Sequence, residues 1–577
     1  MKSRHGAVFR IRIIMATVLL ASLVLVGRLY FVQVMAHEYF VAEGEKQYIH
    51  TESNLYDRGG IYFTTRDGEK VSAATVQSGY VLALNPKNIT DAEAYFQSLQ
   101  PYLKIDQETF IHRATQTDKV YVEVGGNLSE TDAENIKALS LPGVQLNRQR
   151  WRYYPAGPLA ARTIGFVGWT GKEGETEPVG RYGLERYHEN ILGRNNHNQS
   201  VNFFAELFTN LGDAIDNQDE LKEKEGDIAT TIEPTVARFL QNELETAHRK
   251  WNSKLTGGVI INPKTGEIYA IDSYPTFDPN NRGTSTLELF KNPIVEERYE
   301  MGSIIKALTM ASGIDSGAVS AGTTYFDAGF IELDTMTIKN YDGVGRGTVD
   351  MQAVLSQSLN TGVAFVVKTM GKEKFREYFL KLKLGSETGI DLPGEIHGDI
   401  ANLDNINRGI EYATASYGHG IALTPIATVR ALSALGNGGR LVTPHIAKSV
   451  EYEDGTKKEI QFPEGERVWS EATSEEITRM LVKVVDEALR GGKVKLPNYS
   501  VAAKTGTALL VSPEGGYYPD RFLHSFFGYF PAYDPEFLIF LYTDDPQGVT
   551  YASDTLTEPF MNITKFLINY YSVPPDR

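Results

Sequence analysis

A mostly apolar run at residues 13–35 constrains this chain most, and basic side chains from Lys2 to Arg12 precede it. At about 1.5 Å per residue, a helix of this length with its flanks spans the roughly 30 Å hydrocarbon core of a bilayer. The basic start predicts that residues 1–12 are cytoplasmic and that everything after residue 35 lies on the outer side of the membrane. A cleaved signal peptide is the alternative, with Val34-Met35-Ala36 as its cleavage site, although the run is long for such a segment.

Length and composition restrict the rest of the chain. At 577 residues it is too long for one hydrophobic core, so we expect several folding units. The chain has no cysteine, which excludes disulfides, a thiol nucleophile and cysteine-ligated metal sites. A formal net charge of −16 argues against nucleic acid as the main partner.

The segment after the apolar run, residues 36–227, consists of short stretches bounded by turns. It shows no nucleophile–base pair and no metal-ligand spacing. Its last part, 213–227, is rich in charge and poor in apolar residues, as linkers are. We interpret this segment as an elongated pedestal of mixed structure that acts as a spacer, docking or dimerisation-like domain.

Residues 228–577 are predicted to form a separate α+β domain. A strand and a helix starting at Pro234 come first, followed by a β-hairpin across the turn at 262–266. Helical segments then dominate from residue 299 to about 434. The strands expected in the last third are 501–511, 522–533 and 537–543, with a closing helix at 557–570. This order predicts an antiparallel sheet with helices on both faces.

A candidate nucleophile stands at the start of the helical region, in Gly302-Ser303-Ile304-Ile305-Lys306. Positions three apart share one face of a helix, so the Ser303 hydroxyl and the Lys306 amine are predicted to be neighbours. A serine hydroxyl needs an adjacent base, and a lysine becomes that base only when burial or nearby cations lower its pKa. By itself the S-x-x-K spacing is weak evidence, because it arises by chance about once or twice in a chain of this length.

Two further clusters carry hydroxyl, amide and amine groups. Ser358-Leu359-Asn360 follows a predicted helical segment and offers a second hydroxyl for proton relay and an amide for substrate carbonyl or N–H groups. Lys504-Thr505-Gly506-Thr507 interrupts a buried strand pattern with a lysine and a glycine. There Lys504 supplies positive charge, Thr505 and Thr507 supply hydroxyls at a sheet edge, and Gly506 leaves room for a peptide to pair with the strand.

Both patterns also occur elsewhere in the chain. Ser200-Val201-Asn202 repeats S-x-N, and Lys264-Thr265-Gly266 repeats K-T-G inside the predicted hairpin turn. Lysine and glycine are ordinary residues in such a turn, so we predict a structural role for this second K-T-G. Only Ser303, Ser358 and Lys504 keep the order S-x-x-K, S-x-N, K-T-G.

That order of motifs resembles the penicillin-recognising serine acyltransferases. The resemblance is closest to the class B penicillin-binding proteins, which are monofunctional peptidoglycan transpeptidases, and it extends over nearly the whole chain. Further stretches that resemble this family are 28–34, 57–61, 152–168, 384–385, 388–395, 416–420 and 526–532. The chain departs from the family at Met301, Ile304-Ile305 and Ala307 around the nucleophile, and at His419, where Gln is common. We interpret His419 as a loop histidine whose hydrogen bonds are satisfied.

The resemblance implies acyl transfer on the D-Ala-D-Ala end of a peptidoglycan stem peptide. It gives Ser303 the role of nucleophile and Lys306 the role of its base, and it makes the backbone N–H groups of Ser303 and Thr507 the oxyanion hole. Ser358, next to Lys306 and Lys504, would pass the proton to the departing D-Ala. An amine from a neighbouring stem would then attack the acyl-enzyme, and β-lactams would imitate the donor and leave a stable ester.

The same resemblance implies substrate contacts and partners. Asn360 would hold the donor peptide amide, and Lys504, Thr505 and Thr507 would bind the terminal carboxylate along the strand that contains Gly506. No metal or organic cofactor is implied. The implied setting is a single-pass protein of the inner or plasma membrane, with its catalytic domain on the periplasmic or cell-wall side. A separate SEDS-type glycosyltransferase and divisome or elongasome proteins are its implied partners.

The residues leave other functions open. Tyr299-Glu300 before the nucleophile, the modest length and the lack of C-terminal repeats favour a septal transpeptidase, and an elongation-type enzyme is the alternative. A D,D-carboxypeptidase or β-lactamase shares the three motifs but would need a positioned water and a base for fast deacylation. A non-catalytic envelope scaffold or β-lactam sensor is the remaining class, although only residues 1–12 precede the apolar run.

Overall fold

The computed structural model describes Met15 and residues 56–169, 178–194, 225–283 and 285–577. The predicted membrane anchor, apart from Met15, and the motif Ser200-Val201-Asn202 therefore lie outside the described residues. Within these ranges, no helix combines the length and hydrophobicity that crossing a bilayer requires.

Strands and helices are interspersed along the described chain, and four short strands at 324–350 interrupt the region 299–434, where the sequence predicts mainly helices. The strands are β1 Ile61–Thr64, β2 Lys70–Leu84, β3 Val122–Leu128, β4 Val144–Tyr153, β5 Phe166–Gly168, β6 Val179–Tyr182, β7 Gly226–Thr230, β8 Leu255–Ile261, β9 Ile268–Tyr274, β10 Thr324–Asp327, β11 Phe330–Leu333, β12 Met336–Lys339, β13 Gly347–Asp350, β14 Ala447–Tyr452, β15 Lys457–Glu459, β16 Ala502–Val511, β17 Tyr517–Phe530 and β18 Phe537–Asp544. The α-helices are α1 Ala92–Leu99, α2 Gln107–Ala114, α3 Glu130–Ala138, α4 Ala161–Ile164, α5 Gly183–Tyr187, α6 Glu189–Leu192, α7 Pro234–Trp251, α8 Pro293–Glu296, α9 Ile305–Asp315, α10 Met351–Ser356, α11 Asn360–Met370, α12 Lys372–Lys381, α13 Gly409–Ala415, α14 Pro425–Gly436, α15 Glu471–Lys483, α16 Ala552–Thr555 and α17 Thr557–Tyr571.

Internal contacts divide the described residues into two compact units. The smaller unit contains Met15 and residues 56–57 and 77–151, and the larger contains 58–76, 152–194 and 225–577, with the gaps given above. The chain passes from one unit to the other within β2 and again within β4. The domain limits predicted from the sequence stay a prediction, because a division by contacts does not test them.

The smaller unit packs three short helices on paired strands. The second half of β2 pairs antiparallel with β3, where Tyr80 faces Leu128. Asp91 caps the first helix through the N–H groups of Glu93 and Ala94. Apolar side chains from both layers then form one buried cluster; it includes Leu82, Leu84, Phe96, Leu99, Phe110 and Val124.

The larger unit contains a five-stranded sheet of order β16-β17-β18-β8-β9 in which every neighbouring pair is antiparallel. Phe526 stacks on Phe560 of α17 at 4.3 Å, and the Tyr529 hydroxyl hydrogen-bonds Thr478 of α15 at 2.8 Å. Positions 526 and 529 lie an odd number of residues apart, so their side chains point to opposite faces of the sheet. Helices therefore cover both faces, as the sequence predicts, and β16 is an edge strand.

The sequence of α7 explains its limits. The Glu233 carboxylate accepts a hydrogen bond from Val236 N–H at 2.6 Å, and Pro234 occupies the first turn, where it loses no helical hydrogen bond. Val236, Leu240, Leu244 and Ala247 recur at helical spacing and are buried. Asn252 ends the helix in the left-handed conformation, with φ +43°. The helix predicted after Pro234 is therefore confirmed.

The Lys264-Thr265-Gly266 motif is structural. The Asn262 side chain accepts hydrogen bonds from the N–H groups of Lys264 and Thr265, at 2.9 and 3.3 Å, in the turn between β8 and β9. Gly266 has φ +87°, and a β-carbon there would lie 2.2 Å from the carbonyl oxygen of Thr443. This turn needs a glycine for its own geometry, so the predicted hairpin turn is confirmed.

Two of the family-like stretches meet at one buried carboxylate of the larger unit. Glu185 is 0% exposed and receives Arg58 Nε at 2.7 Å and Arg152 Nε at 2.6 Å. Burial alone would raise the pKa of Glu185, but Arg152 and Arg58 outweigh it and lower the pKa. The ion pairs join Glu185 to Arg58, which is 127 positions away, and to Arg152, which is 33 positions away.

Candidate active site

Ser303 lies in a 3₁₀ turn, Gly302–Ile304, that leads directly into α9. Gly302 has φ +62°, and a β-carbon on it would lie 2.7 Å from the carbonyl oxygen of Thr507 on β16. Only glycine fits both this positive φ and this close approach. The turn therefore packs directly against the edge strand. Ser303 is partly exposed, and among the described residues none hydrogen-bonds its hydroxyl.

Lys306 is buried one turn further along α9, with 0% of the residue exposed. Its Nζ donates hydrogen bonds to the Ser358 carbonyl oxygen at 2.6 Å and to the Ser358 hydroxyl at 3.1 Å. Burial, and then the nearby charge of Lys504, hold the pKa of Lys306 well below its usual range. A lysine with a lowered pKa loses its proton more easily than an ordinary lysine, and a neutral amine can accept a proton.

Lys504 reaches the same serine from the edge strand. Its Nζ donates to the Ser358 hydroxyl at 3.0 Å and to the Thr505 carbonyl oxygen at 3.2 Å. Burial lowers the pKa of Lys504 to about 8. Burial therefore lowers the pKa of both lysines, and at Lys306 the charge of Lys504 lowers it further.

Ser358 joins the two amines. Its hydroxyl oxygen has two lone pairs, and the two lysine amines each supply a donor to that oxygen. Its own O–H bond is then directed away from both amines and can donate elsewhere. Ser358 follows α10 in the left-handed conformation, with φ +55°, a position that usually carries glycine. A serine there is strained, which points to a role for its hydroxyl.

Gly506 is required for packing of the turn. A β-carbon at this position would lie 2.4 Å from Ser525 Oγ, 2.7 Å from the Met301 carbonyl oxygen and 3.0 Å from Ile304 N. The sequence predicted that the missing side chain makes room for a peptide, whereas the structure fills that room with the turn that carries the candidate nucleophile. Thr507, one residue later, accepts a hydrogen bond from Ala552 N–H at 3.2 Å.

Asn360 begins α11, two residues after Ser358, and is partly exposed. Its Nδ2 donates to the Lys339 carbonyl oxygen, at the end of β12, at 2.8 Å. Of the predicted site residues, the structure joins Lys306, Ser358 and Lys504 by hydrogen bonds and packs Gly506 on the Ser303 turn. Thr505 lies beside them, because its backbone carbonyl oxygen accepts a hydrogen bond from Lys504 Nζ.

The sequence did not reveal a second polar group near the nucleophile. The Glu300 carboxylate accepts hydrogen bonds from Gly420 N–H at 3.0 Å and from the Tyr517 hydroxyl at 3.0 and 3.1 Å. Burial raises the pKa of Glu300, and these two donors act against that rise. The position of Glu300 beside the motif was a usable signal, but its partner Tyr517 lies 217 residues away.

His419 differs from its predicted role. Its Nδ1 is buried and hydrogen-bonds none of the described residues, so the prediction of a satisfied histidine is wrong for this atom. The ring packs near the rings of Tyr417 and Tyr517, with centroids 5.3 and 5.7 Å away. Burial, and then the charge of Lys306, lower the pKa of His419 to about 4. The imidazole is therefore neutral at neutral pH.

Comparisons with known proteins agree with this geometry. A model of the penicillin-binding protein transpeptidase domain matches residues 256–565, and a model of the penicillin-binding protein dimerisation domain matches residues 57–227. The chain belongs to the class B penicillin-binding protein transpeptidases. This family is one of serine enzymes, and the membership predicted from the three motifs is confirmed.

Two curated relatives and one solved structure illustrate this membership. Stage V sporulation protein D of Bacillus subtilis is 31% identical over 521 residues, covering 88% of this chain and 78% of that protein. A probable peptidoglycan D,D-transpeptidase FtsI of Caulobacter vibrioides is 29% identical over 483 residues, covering 81% and 73%. Penicillin-binding protein 3 of Mycobacterium tuberculosis, complexed with aztreonam, superposes with a TM-score of 0.67 at 22% identity, covering 91% and 98%. At that identity the superposition establishes the fold alone.

Proposed function

We propose that this class B penicillin-binding protein cross-links peptidoglycan stem peptides through an acyl-enzyme on Ser303. One observation carries the proposal: a single hydroxyl, that of Ser358, bridges a lysine with a strongly lowered pKa and a second lysine on the edge strand, beside the Ser303 turn. The names of the relatives, which include probable peptidoglycan D,D-transpeptidases, support the choice of substrate.

Acylation begins with Lys306 as the base. A neutral lysine amine has two N–H bonds and one lone pair, and the Ser358 carbonyl and hydroxyl oxygens accept from this amine. Its lone pair is then available to the Ser303 hydroxyl proton. Ser303 Oγ attacks the carbonyl carbon of the penultimate D-Ala, and the backbone N–H groups of Ser303 and Thr507 stabilise the oxyanion.

Collapse of the tetrahedral intermediate breaks the C–N bond to the terminal D-Ala. The Ser358 O–H, which is not needed by either lysine, gives its proton to the leaving amine and regains one from protonated Lys306. Asn360 holds the donor amide, while protonated Lys504 and the hydroxyls of Thr505 and Thr507 bind the terminal carboxylate. An amine of a neighbouring stem then attacks the Ser303 ester, which forms the cross-link and frees the serine.

A test of this proposal labels purified protein with a fluorescent penicillin. Ser303→Ala should abolish labelling and keep the thermal unfolding midpoint, because the residue is partly exposed and its hydroxyl bonds no described side chain. Ser320→Ala is the matched control. Ser320 is an exposed serine in the loop after α9, and this variant should label as the wild type does. Persistent labelling of folded Ser303→Ala would refute the assignment.

Acyl-enzyme lifetime separates cross-linking from hydrolysis. A transpeptidase should keep its penicilloyl ester for hours, whereas a β-lactamase should release it in less than about a second. A D,D-carboxypeptidase would release D-Ala from a stem-peptide mimic without an acceptor amine. Measuring both with purified protein tests the two hydrolytic alternatives directly.

We place this enzyme in septal wall synthesis, held by an anchor at residues 13–35 with residues 36–577 outside the cytoplasmic membrane. The pedestal at 36–227, the transpeptidase domain at 228–577 and a SEDS-type glycosyltransferase partner belong to the same proposal. Tyr299-Glu300 before the nucleophile supports the septal role. A functional fluorescent fusion should concentrate at midcell; uniform labelling of the side wall would favour the elongation-type role.

A further inference from the structure

A buried carboxylate behind the active site lacks a cationic partner. Asp327, the last residue of β10, is 1% exposed, and no Lys, Arg or His side chain among the described residues forms an ion pair with it. The guanidinium of Arg346 forms its ion pair with Asp342 at 2.7 Å and acts on Asp327 only through its charge at longer range. An uncompensated buried charge is expensive unless hydrogen bonds satisfy it, so its partners are informative.

Four groups satisfy this carboxylate. Its oxygens accept from Gly329 N–H at 2.9 Å, Arg346 N–H at 3.1 Å, the Thr361 hydroxyl at 2.8 Å and Asn340 Nδ2 at 2.9 and 3.1 Å. The N–H groups cannot reverse, and the Thr361 hydroxyl lies 2.8 Å from the carboxylate and 3.1 Å from Asn340 Oδ1. Both oxygens of Asp327 therefore need to be acceptors. The neutral amide of an asparagine at this position has only one acceptor oxygen and could not replace them.

The carboxylate thereby connects the hairpin β11–β12 to the start of α11. Asn340 follows the last residue of β12, Lys339, and Thr361 follows Asn360. The Lys339 carbonyl oxygen accepts the hydrogen bond from Asn360 Nδ2 at 2.8 Å. Asp327 thus binds Thr361, the residue after Asn360. It also binds Asn340, the residue after Lys339, whose carbonyl oxygen accepts the hydrogen bond from Asn360.

We propose that Asp327 is a positioning residue for acyl transfer, acting through Asn340 and the Lys339 carbonyl to set the orientation of the Asn360 carboxamide. A backbone carbonyl can only accept, so Asn360 must turn its Nδ2 toward Lys339. Its Oδ1 then faces away from that bond and is the atom left to accept the N–H of an acylamino group. The inference rests on the proposed role of Asn360 in holding the donor amide.

Two β-lactams of different chemistry test this role. Benzylpenicillin carries an acylamino side chain for Asn360 to hold, whereas a carbapenem with a hydroxyethyl substituent lacks it. The measured quantity is the ratio of their second-order acylation rate constants. Partial unfolding lowers both rate constants by the same factor, so this ratio reports orientation and is insensitive to the folded fraction.

Asp327→Ala and Asn340→Ala should each slow benzylpenicillin acylation about tenfold more than carbapenem acylation, the size of one lost hydrogen bond. The double variant Asp327→Ala/Asn360→Ala should show the ratio of Asn360→Ala alone, since both changes remove the same contact. Tyr325→Phe is the matched control: it removes a buried hydroxyl that bonds Thr361 Oγ1 at 3.1 Å but leaves every donor to Asp327 and the link from Asn340 to Lys339 in place. It should lower the unfolding midpoint and keep the wild-type ratio.

Equal slowing of both β-lactams by Asp327→Ala and by Asn340→Ala would overturn the positioning role, as would additive effects on the ratio in the double variant. Failure of the proposed function gives a different result. In that case Ser303→Ala would still be acylated by both compounds, and Asn360→Ala would leave the wild-type ratio unchanged.

Discussion

Lys306 Nζ lies 2.6 Å from the backbone carbonyl oxygen of Ser358 and 3.1 Å from its hydroxyl oxygen. These contacts join residues 52 positions apart and hold the amine in a buried site where it is easily neutral. A buried lysine bound only to neutral oxygen atoms has lost its water without gaining a counter-ion. This environment makes Lys306 a base and distinguishes it from the many lysines at the protein surface.

Acylation should have a bell-shaped dependence on pH. Lys306 must be neutral to act as a base, so the rate falls as pH drops through its pKa. Lys504 must be protonated to hold the carboxylate, so the rate falls as pH rises above about 8. The profile of the second-order acylation rate constant for a penicillin measures both limbs. Lys504→Arg keeps its charge at high pH and should remove the alkaline limb; an unchanged limb would show that another group causes it.

Ser358 gives a prediction that separates stability from catalysis. Ser358→Ala and Ser358→Gly both remove the bridging hydroxyl, and each should slow acylation by about 10²-fold or more. Glycine relieves the positive φ of +55°, whereas alanine keeps it, so the glycine variant should be more stable by about 1 kcal/mol. Chemical denaturation measures this difference. Equal stability of the two variants would mean that the serine backbone is not strained.

Gly506→Ala should damage the protein through the Ser303 turn. The new methyl group would meet Ser525 Oγ and the Met301 carbonyl oxygen, and relieving such contacts costs about 1–3 kcal/mol. Displacement of the turn should also slow acylation. Gly322→Ala is the control, because open space surrounds that position and its φ is ordinary. Equal unfolding midpoints for both variants would contradict this account of Gly506.

The Glu185 cluster should dominate the stability of its region. Glu185→Gln removes the carboxylate that Arg58 and Arg152 share, leaves Arg58 with Glu189 as its remaining counter-ion, and should destabilise the protein by about 3–5 kcal/mol at neutral pH. The pKa of Glu185 is lowered in the folded protein, so its contribution is present above the ordinary carboxyl pKa and is lost as pH falls through the folded value. The difference in unfolding free energy between wild type and variant should therefore shrink in acid.

Glu377→Gln is the matched control for that comparison. Glu377 also pairs with two cations, Lys374 at 2.9 Å and Lys381 at 2.7 Å, but its side chain is exposed to water. Surface ion pairs of this kind add little to stability, so the variant should keep the wild-type unfolding midpoint. A similar loss in both variants would show that burial is not what makes the Glu185 cluster strong.

Patterns between near neighbours in the chain were predictable. The helix after Pro234, the turn at Lys264-Thr265-Gly266 and the three late strands follow from capping, glycine geometry and apolar spacing, which act over a few residues. The order of the motifs at Ser303, Ser358 and Lys504 was enough to indicate the family, because order along the chain needs no coordinates.

Groups that depend on distant partners were not predictable. The sequence around Glu300 does not reveal its partner Tyr517, and the sequence around His419 and Asp327 does not reveal how their polar atoms are bonded. Gly506 was noticed for its unusual setting, but the reason given for it was incomplete. Only the fold reveals that the backbone of the nucleophile turn occupies the space beside this glycine.

The sequence by itself determined the family, the candidate nucleophile and the secondary structure on which each motif lies, since these follow from residue type, order and local periodicity. Tertiary structure alone decided that Lys306 and Lys504 share the Ser358 hydroxyl, which lies 146 residues from the second lysine. It also decided that burial lowers the pKa of both amines. The physical reason is that burial and hydrogen bonding depend on which atoms surround a group in space, and a chain places those atoms only when it folds.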